Sequence, residues 1–299
     1  MLVDVTVVVP EFFATRLANQ EGAPARAWLD RLPNLAAQYA DRWQLAFDGP
    51  SMHGYGGLVL PVRRADGSAA VLKLNYLTPE TKDEPVALAA WQGDGAVLLL
   101  DSDADNGAML LERLEAGRSL ETEPIDDAVR ITCELMRRLA IPVPQGISRN
   151  LRTESAGWAE ELPREWERLG APYPRKLLDA AVEVCTQLGP TAAQLLVNED
   201  LHFENVLAAR REPWLVIDPQ PLAGDPEFTT LSLLWSRRTE STLDDRFAAV
   251  VDIAGLDADR ARAWTLVQCA RNWLWFAEDE DCDDPGYPAV QEIAPWALR

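Results

Sequence analysis

The stretch that decides the fold reads Asp200-Leu201-His202-Phe203-Glu204-Asn205-Val206-Leu207, followed by Trp214-Leu215-Val216-Ile217-Asp218-Pro219. An aspartate is followed five positions later by an asparagine, and thirteen positions further on a second aspartate ends an apolar run. Two apolar runs around the polar Arg210-Arg211-Glu212-Pro213 predict a short hairpin from Asn205 to Asp218. Phosphoryl transfer from a magnesium nucleotide needs this set of groups. Asp200 would accept the proton of an attacking hydroxyl, Asn205 would hold one Mg²⁺ through its amide oxygen, and Asp218 would bridge the metals. Asp and Asn are also ordinary turn residues beside a hairpin. What favours the chemical reading is a lysine and a glutamate upstream, in the order that the reaction requires.

That lysine is Lys73, in the strand-like run Ala69-Ala70-Val71-Leu72-Lys73-Leu74. On a strand it points away from the face that carries Leu72 and Leu74. It would hold the α- and β-phosphates of a nucleotide, with Glu84, in the helix expected from Asp83 to Trp91, fixing its ammonium group. A solvated lysine on a polar strand face is the plainer alternative. Earlier, the turn Ser51-Met52-His53-Gly54-Tyr55-Gly56-Gly57 could bring backbone N–H groups close to phosphates, with Ser51 and Gly54 as candidate contacts. It matches neither a Walker loop nor Gly-x-Gly-x-x-Gly, and a simple hairpin turn reads as well.

Working outward, the pattern divides the chain. Ala25 to Trp43 has helical spacing interrupted by Pro33. Strands are expected at Trp43 to Phe47, Leu58 to Val62, Ala69 to Leu74, Val97 to Asp101 and Ala108 to Leu114, and Glu115-Ala116-Gly117 reads as a break. Helices are expected at Ile125 to Leu139, Ala156 to Leu169, Arg175 to Leu188 and Asp257 to Glu278. This is an α+β chain: a strand-rich N-lobe over residues 1–114 and a helical C-lobe over 115–299, with the ligand cleft expected between them.

With 47% hydrophobic and 25% charged residues, the 299-residue chain has a globular enzyme's composition. No apolar run is long enough to span a bilayer, and the opening Met1-Leu2-Val3-Asp4-Val5, which lacks a basic n-region, is not expected to be a signal peptide. The four cysteines are scattered without zinc spacing, so reduced thiols in the cytoplasm are expected. Two histidines make a His-based metal site or a Ser-His-Asp triad a poor fit. The net charge of −20 argues against nucleic acid and anionic membranes as partners, and suits a cationic small molecule and Mg²⁺.

The chain resembles the aminoglycoside phosphotransferase family, and within it the streptomycin 6-phosphotransferase branch that also holds hydroxyurea kinases. The resemblance is carried by Asp41-Arg42-Trp43-Gln44-Leu45, Arg64-Ala65-Asp66-Gly67, Leu72-Lys73-Leu74, Leu110-Leu111-Glu112-Arg113-Leu114, the Asp200 to Ala209 block, and Ile217-Asp218-Pro219 through Gly224-Asp225-Pro226. It implies a protein-kinase-like two-lobe fold, ATP and Mg²⁺ as nucleotide and metal, and a monomer. It implies a nucleobase-binding hinge from Glu112 to Leu114, Asp200 as base, and Asn205 and Asp218 as metal ligands. It places a cationic acceptor against Asp225, Glu227, Glu278 and Asp279. Two positions depart from the family pattern. Asn198 stands where a histidine is usual, two residues before the base, and Thr229 stands where an acid is usual. Glu199 adds a carboxylate beside Asp200, which could raise the pKa of one of them. These departures leave open another hydroxylated acceptor or biosynthetic intermediate, or an inactive nucleotide-binding pseudokinase. Protein kinase activity fits poorly, because Pro219-Gln220 follows the metal aspartate and no Ala-Pro-Glu block comes after it.

Overall fold

In the computed structural model, residues 7–278 and 286–299 are described. The chain forms two compact units. The first comprises the residues up to Glu115 together with Ala209–Pro213, and the second comprises Ala116–Ala208 and the chain from Trp214 onward. A single cut in the sequence cannot express this division, because five residues of the later chain belong to the first unit.

The first unit opens with helix α1 (Glu11–Arg42). Strands β1 (Ala46–Phe47), β2 (Met52–His53), β3 (Gly57–Arg63) and β4 (Ala69–Asn75) follow, then helix α2 (Glu84–Trp91) and strands β5 (Leu99–Asp103) and β6 (Ala108–Glu112). The strands form one antiparallel sheet in the order β1-β3-β4-β6-β5, with β2 paired to β3. Alternation explains its core. Leu58, Leu60 and Val62 of β3 and Ala70, Leu72 and Leu74 of β4 pack with Phe13, Leu17, Trp28, Leu32, Ala36 and Tyr39 of α1. The expected break at Pro33 moves upstream: the helix runs through Pro33, and its backbone leaves helical geometry at Gly22 instead, at φ 71°. Glycine accepts that conformation without the steric cost of a Cβ.

The second unit contains β7 (Glu115–Ser119), α3 (Ile125–Leu139), β8 (Ile141–Pro142), α4 (Leu151–Arg168), α5 (Arg175–Gln187), β9 (Leu195–Asn198), β10 (Val206–Ala208), β11 (Trp214–Val216), β12 (Pro221–Gly224), α6 (Thr230–Trp235), α7 (Leu243–Ala254), α8 (Ala258–Glu278) and α9 (Gly286–Ala297). Two small sheets run β11-β10-β7 and β12-β9-β8. The helices close over Trp158, Phe228 and Trp264, where Phe228 stacks on Trp158 at 5.7 Å and meets the edge of Trp264 at 5.6 Å. The break read at Glu115-Ala116-Gly117 is in fact the start of β7. Strands β9 and β12 are not legible from their sequences. Each has four residues, and Pro221 and Gly224 disguise β12 as a loop. Among the described residues no helix is long and apolar enough to cross a membrane. Cys133, Cys185 and Cys269 are buried free thiols, and Cys282 lies outside the described residues.

Candidate active site

In the first unit, Lys73 is turned away from the hydrophobic core and buried at 5% exposure. Its Nζ donates to both carboxylate oxygens of Glu84, at 2.6 and 2.7 Å. Asn75, two residues along the same strand face, donates from Nδ2 to Glu84 Oε2 at 2.6 Å. The start of α2 is therefore pinned to β4 by two side chains. A buried lysine tied to one carboxylate is held in a single pose rather than solvated. Gly57 makes the arrangement possible, since a Cβ there would lie 2.2 Å from Asn75 Oδ1.

The glycine-rich turn is organised differently from the expectation. Gly54 donates its N–H to Gly57 O at 3.0 Å inside the β2–β3 hairpin, and the Ser51 hydroxyl donates to Val8 O. Arg16 of α1 donates to the carbonyls of Gly54 and Tyr55, and its guanidinium lies 4.3 Å from the Tyr55 ring centroid. The Gly54 N–H is thus already engaged, and so is the Ser51 hydroxyl. The turn is braced by α1 from behind.

Glu112 and Leu114 lie at the exit of β6. The Glu112 N–H donates to Leu98 O at 3.0 Å, and its carboxylate accepts from Leu98 N and from Arg211 Nη2, at 2.8 and 2.7 Å. Arg113 between them bonds Asp48, Val62 and Ala70, and Leu114 is half-buried.

In the second unit, the groups around Asp200 converge by hydrogen bonds. Asn205 donates from Nδ2 to Asp200 O at 3.0 Å and to Asp200 Oδ2 at 3.2 Å. The amide nitrogen faces Asp200, so the amide oxygen faces the other way. The hairpin register pairs Val206 with Val216, and the Ile217 N–H donates to Asn205 O at 2.9 Å, which places Asp218 beside Asn205. Asp218 itself sits at φ 51°, a left-handed conformation rare for an aspartate. An amide oxygen and a carboxylate are hard donors of the kind that hold Mg²⁺ together with phosphate oxygens. Among the described residues no three His, Cys, Asp or Glu side chains gather as a self-sufficient metal cage.

Glu199 is engaged by partners of its own. Its carboxylate meets Arg149 at 2.6 Å and Arg271 at 3.1 Å. Burial pushes the Glu199 carboxyl up, but the two arginines outweigh it and hold it below its usual range. Arg149, itself buried, also makes a two-pronged contact with Glu154 at 2.8 Å, and Arg271 stacks 3.9 Å from the Trp158 ring centroid. The loop is thus anchored to α4 and α8.

His202 was not singled out from sequence, yet its Nε2 lies 3.7 Å from Asp200 Oδ2 and its Nδ1 3.9 Å from Glu204 Oε2. Burial lowers its proton affinity, while Asp200, Glu204 and Asp218 more than offset this and leave it above the ordinary histidine value. Glu121 joins the same neighbourhood, raised by burial and by Glu204. Only the position of His202 inside the Asp200–Asn205 block signals it in the sequence.

The acceptor residues expected from the resemblance separate. Asp225 is 2% exposed, and its carboxylate accepts from Arg260 Nε and Trp264 Nε1 at 2.7 Å and from Ala193 N at 2.6 Å. It is a core anchor rather than a surface for a substrate, because every charge on it is answered inside the protein. Glu227 is half-buried and caps Asp257 N at 3.1 Å. Glu278 is exposed and paired with Arg168 at 2.6 Å. Asp279 lies outside the described residues.

Residues 42–280 match the family described as aminoglycoside/hydroxyurea antibiotic resistance kinase. The chain belongs to this family. It is therefore a small-molecule phosphotransferase of the kinase fold. This resistance-kinase chain is 43% identical to the hydroxyurea phosphotransferase of Kitasatospora aureofaciens over 262 residues, 86% of this chain and 77% of that one. It is 40% identical to the streptomycin 6-kinase of Streptomyces glaucescens over 283 residues, 91% of this chain and 92% of that one. Among solved structures, a thermostable mutant of aminoglycoside phosphotransferase APH(4)-Ia in complex with ADP and hygromycin B shares its fold, with a TM-score of 0.65 at 15% identity, covering 88% of this chain and 97% of that chain. The choline kinase LicA of Streptococcus pneumoniae does so with a TM-score of 0.62 at 14% identity, again covering 88% and 97%.

Proposed function

We propose that this kinase transfers the γ-phosphoryl group of ATP to a hydroxyl of an aminoglycoside, with streptomycin as the first acceptor to test. The observation that carries the reading is the bonded set Asp200–Asn205 with Asp218 beside it, matched by the buried Lys73–Glu84 pair. Bound ATP and Mg²⁺ supply the phosphoryl group and neutralise its charge. Lys73 binds phosphate oxygens in the pose fixed by Glu84. Asn205 through its oxygen and Asp218 through its carboxylate hold the metal. Asp200, at 34% side-chain exposure, is open enough to meet an acceptor hydroxyl and take its proton. Catalysis by such a site is mostly positioning and charge stabilisation. Glu121 and Glu204 near His202 add negative charge on the base's side, which suits a polycation such as streptomycin.

The test is release of ADP from Mg-ATP with streptomycin, beside the Asp200→Ala variant. Turnover that disappears in the variant supports the base and the acceptor together; turnover that survives at near-normal rate refutes the assignment of Asp200. A second reading, phosphorylation of hydroxyurea, rests on the 43% identical relative. The same assay with hydroxyurea separates the two. The cytoplasm, a monomeric state and ATP over GTP belong to this proposal as working expectations.

A further inference from the structure

Asn198 and Thr229, the two positions that depart from the family pattern, are bonded to each other: Thr229 Oγ1 donates to Asn198 O at 3.1 Å. Both are buried, at 4% and 1% exposure. The Asn198 side chain does something more specific. Its Oδ1 accepts two backbone N–H groups, from Asp200 at 3.1 Å and from Gln220 at 2.9 Å. Its Nδ2 is buried and has no hydrogen-bond partner. Because both partners are donors, the oxygen and not the nitrogen must face them.

The Gln220 contact has few substitutes. Between Asp218 and Leu222 the sequence is Pro219-Gln220-Pro221, and proline has no N–H. The segment after Asp218 therefore offers one backbone donor to restrain it, and Asn198 takes that donor. Restraint matters here because Asp218 holds a left-handed backbone that an aspartate does not favour. The antiparallel register brings Asn198 opposite Pro221, and the Glu199 N–H to Gln220 O bond at 3.0 Å extends the pairing by one step.

We infer that Asn198 is a positioning residue of the phosphotransfer site, a clamp that sets Asp200 relative to Asp218 through its amide oxygen alone, with Thr229 fixing its main chain. The inference rests on Asp200 and Asp218 being base and metal ligand. The acceptor oxygen is the working part; the NH₂ group is dispensable.

The experiment compares Asn198→Asp, which keeps the accepting oxygen and replaces the NH₂ with a second oxygen that is charged when ionised, with Asn198→Leu, which removes the acceptor. Three quantities are read in each: amide hydrogen exchange at Asp200 and Gln220, the Mg²⁺ concentration that half-saturates ADP binding, and kcat. Asn198→Asp is expected to keep exchange at both amides within about threefold, because the accepting oxygen remains. Asn198→Leu is expected to speed both amides and to raise the Mg²⁺ requirement and lower kcat by about tenfold or more, the equivalent of two lost hydrogen bonds. A folded Asn198→Leu protein with unchanged exchange and Mg²⁺ requirement overturns the inference, and so does an Asn198→Asp protein whose Asp200 and Gln220 amides exchange as fast as in the leucine variant. If Asn198→Leu does not fold, Asn198→Asp and Thr229→Val decide. The valine variant is expected to loosen the Asp200 amide and lower kcat, and an unaltered amide and kcat there would overturn the clamp. Exchange and ADP binding need no acceptor, so an unaltered enzyme that fails to turn over any acceptor would sink the functional reading separately.

Discussion

Asp200 is held by its backbone and by Asn205 rather than by packing, so its side chain can be altered without disturbing the core. Asp200→Ala is expected to retain the thermal unfolding midpoint while kcat falls about 10²- to 10⁴-fold, the contribution of a positioned general base; stopped turnover with an intact calorimetric transition checks it. Lys73 behaves otherwise. Replacing it with alanine leaves Glu84, 1% exposed at its side chain, as a buried carboxylate without its ammonium partner. Both stability and nucleotide affinity should drop, affinity by about 10- to 100-fold for one lost charge-assisted phosphate contact. Titration with Mg-ADP in a calorimeter reads the affinity, and Glu84→Gln, which spares the lysine, should weaken it less.

At the scale of elements, three close approaches matter: in the first unit β3 to β4 at Gly57, and in the second the Asp200 loop to α4 and α8 at Glu199 and β9 to β12 at Asn198. Gly57→Ala would push a methyl group into Asn75 Oδ1 and turn that amide from Glu84. Weaker nucleotide binding is expected, with the fold retained, and a wild-type Kd would contradict the role of Asn75. At Glu199 the sign of the pH dependence follows from its lowered folded pKa. The unfolded chain binds this proton more readily, so the ion pairs stabilise fully above the ordinary Glu value of about 4.3 and lose their effect as pH falls below it. Glu199→Ala takes one of two carboxylates from Arg149, which keeps Glu154, and removes the carboxylate that meets Arg271, so it should cost about 1.5–3 kcal/mol at neutral pH. The penalty should shrink in denaturant melts only as pH falls through the lowered folded pKa, where the wild type loses the same charge. The sequence shows the long elements plainly: α3, α5 and α8 appear within a residue or two of their apolar periodicity. It also shows the residues of the Lys73–Glu84 pair and of the Asp200–Asn205 contact, because each spacing is local. It hides what depends on partners far along the chain. Asp225 looks like an exposed acid after Gly224 until Arg260 and Trp264 fold over it. Gly54 looks like a phosphate donor until its N–H is found on Gly57 O. Glu199 looks like a neighbour of Asp200 until Arg149 arrives from fifty positions upstream.

On the scale of the whole molecule, a net charge of −20 makes the long-range field attractive to cations. For a polycationic acceptor, kcat/KM should fall several-fold between about 20 and 200 mM KCl, as the Debye length shrinks. Hydroxyurea is uncharged, and its kcat/KM should hardly move over the same range. A salt series with both acceptors therefore reports which chemistry the surface was shaped for, independently of which rate is larger.

The Arg210–Pro213 turn carries one more consequence. Arg211 reaches Glu112 at 2.7 Å and Ala96 O at 3.1 Å, and Ala209–Pro213 belongs to the first unit although it lies some hundred positions beyond Glu115. On a translating ribosome, the N-terminal sheet emerges with Glu112 lacking its arginine until that turn has been made. At about 5–20 residues per second the wait is roughly 5–20 s. For that interval the nascent sheet must survive on its own hydrophobic face, and a chain interrupted before Pro213 would present the quality-control machinery with a sheet whose last fastening never arrives.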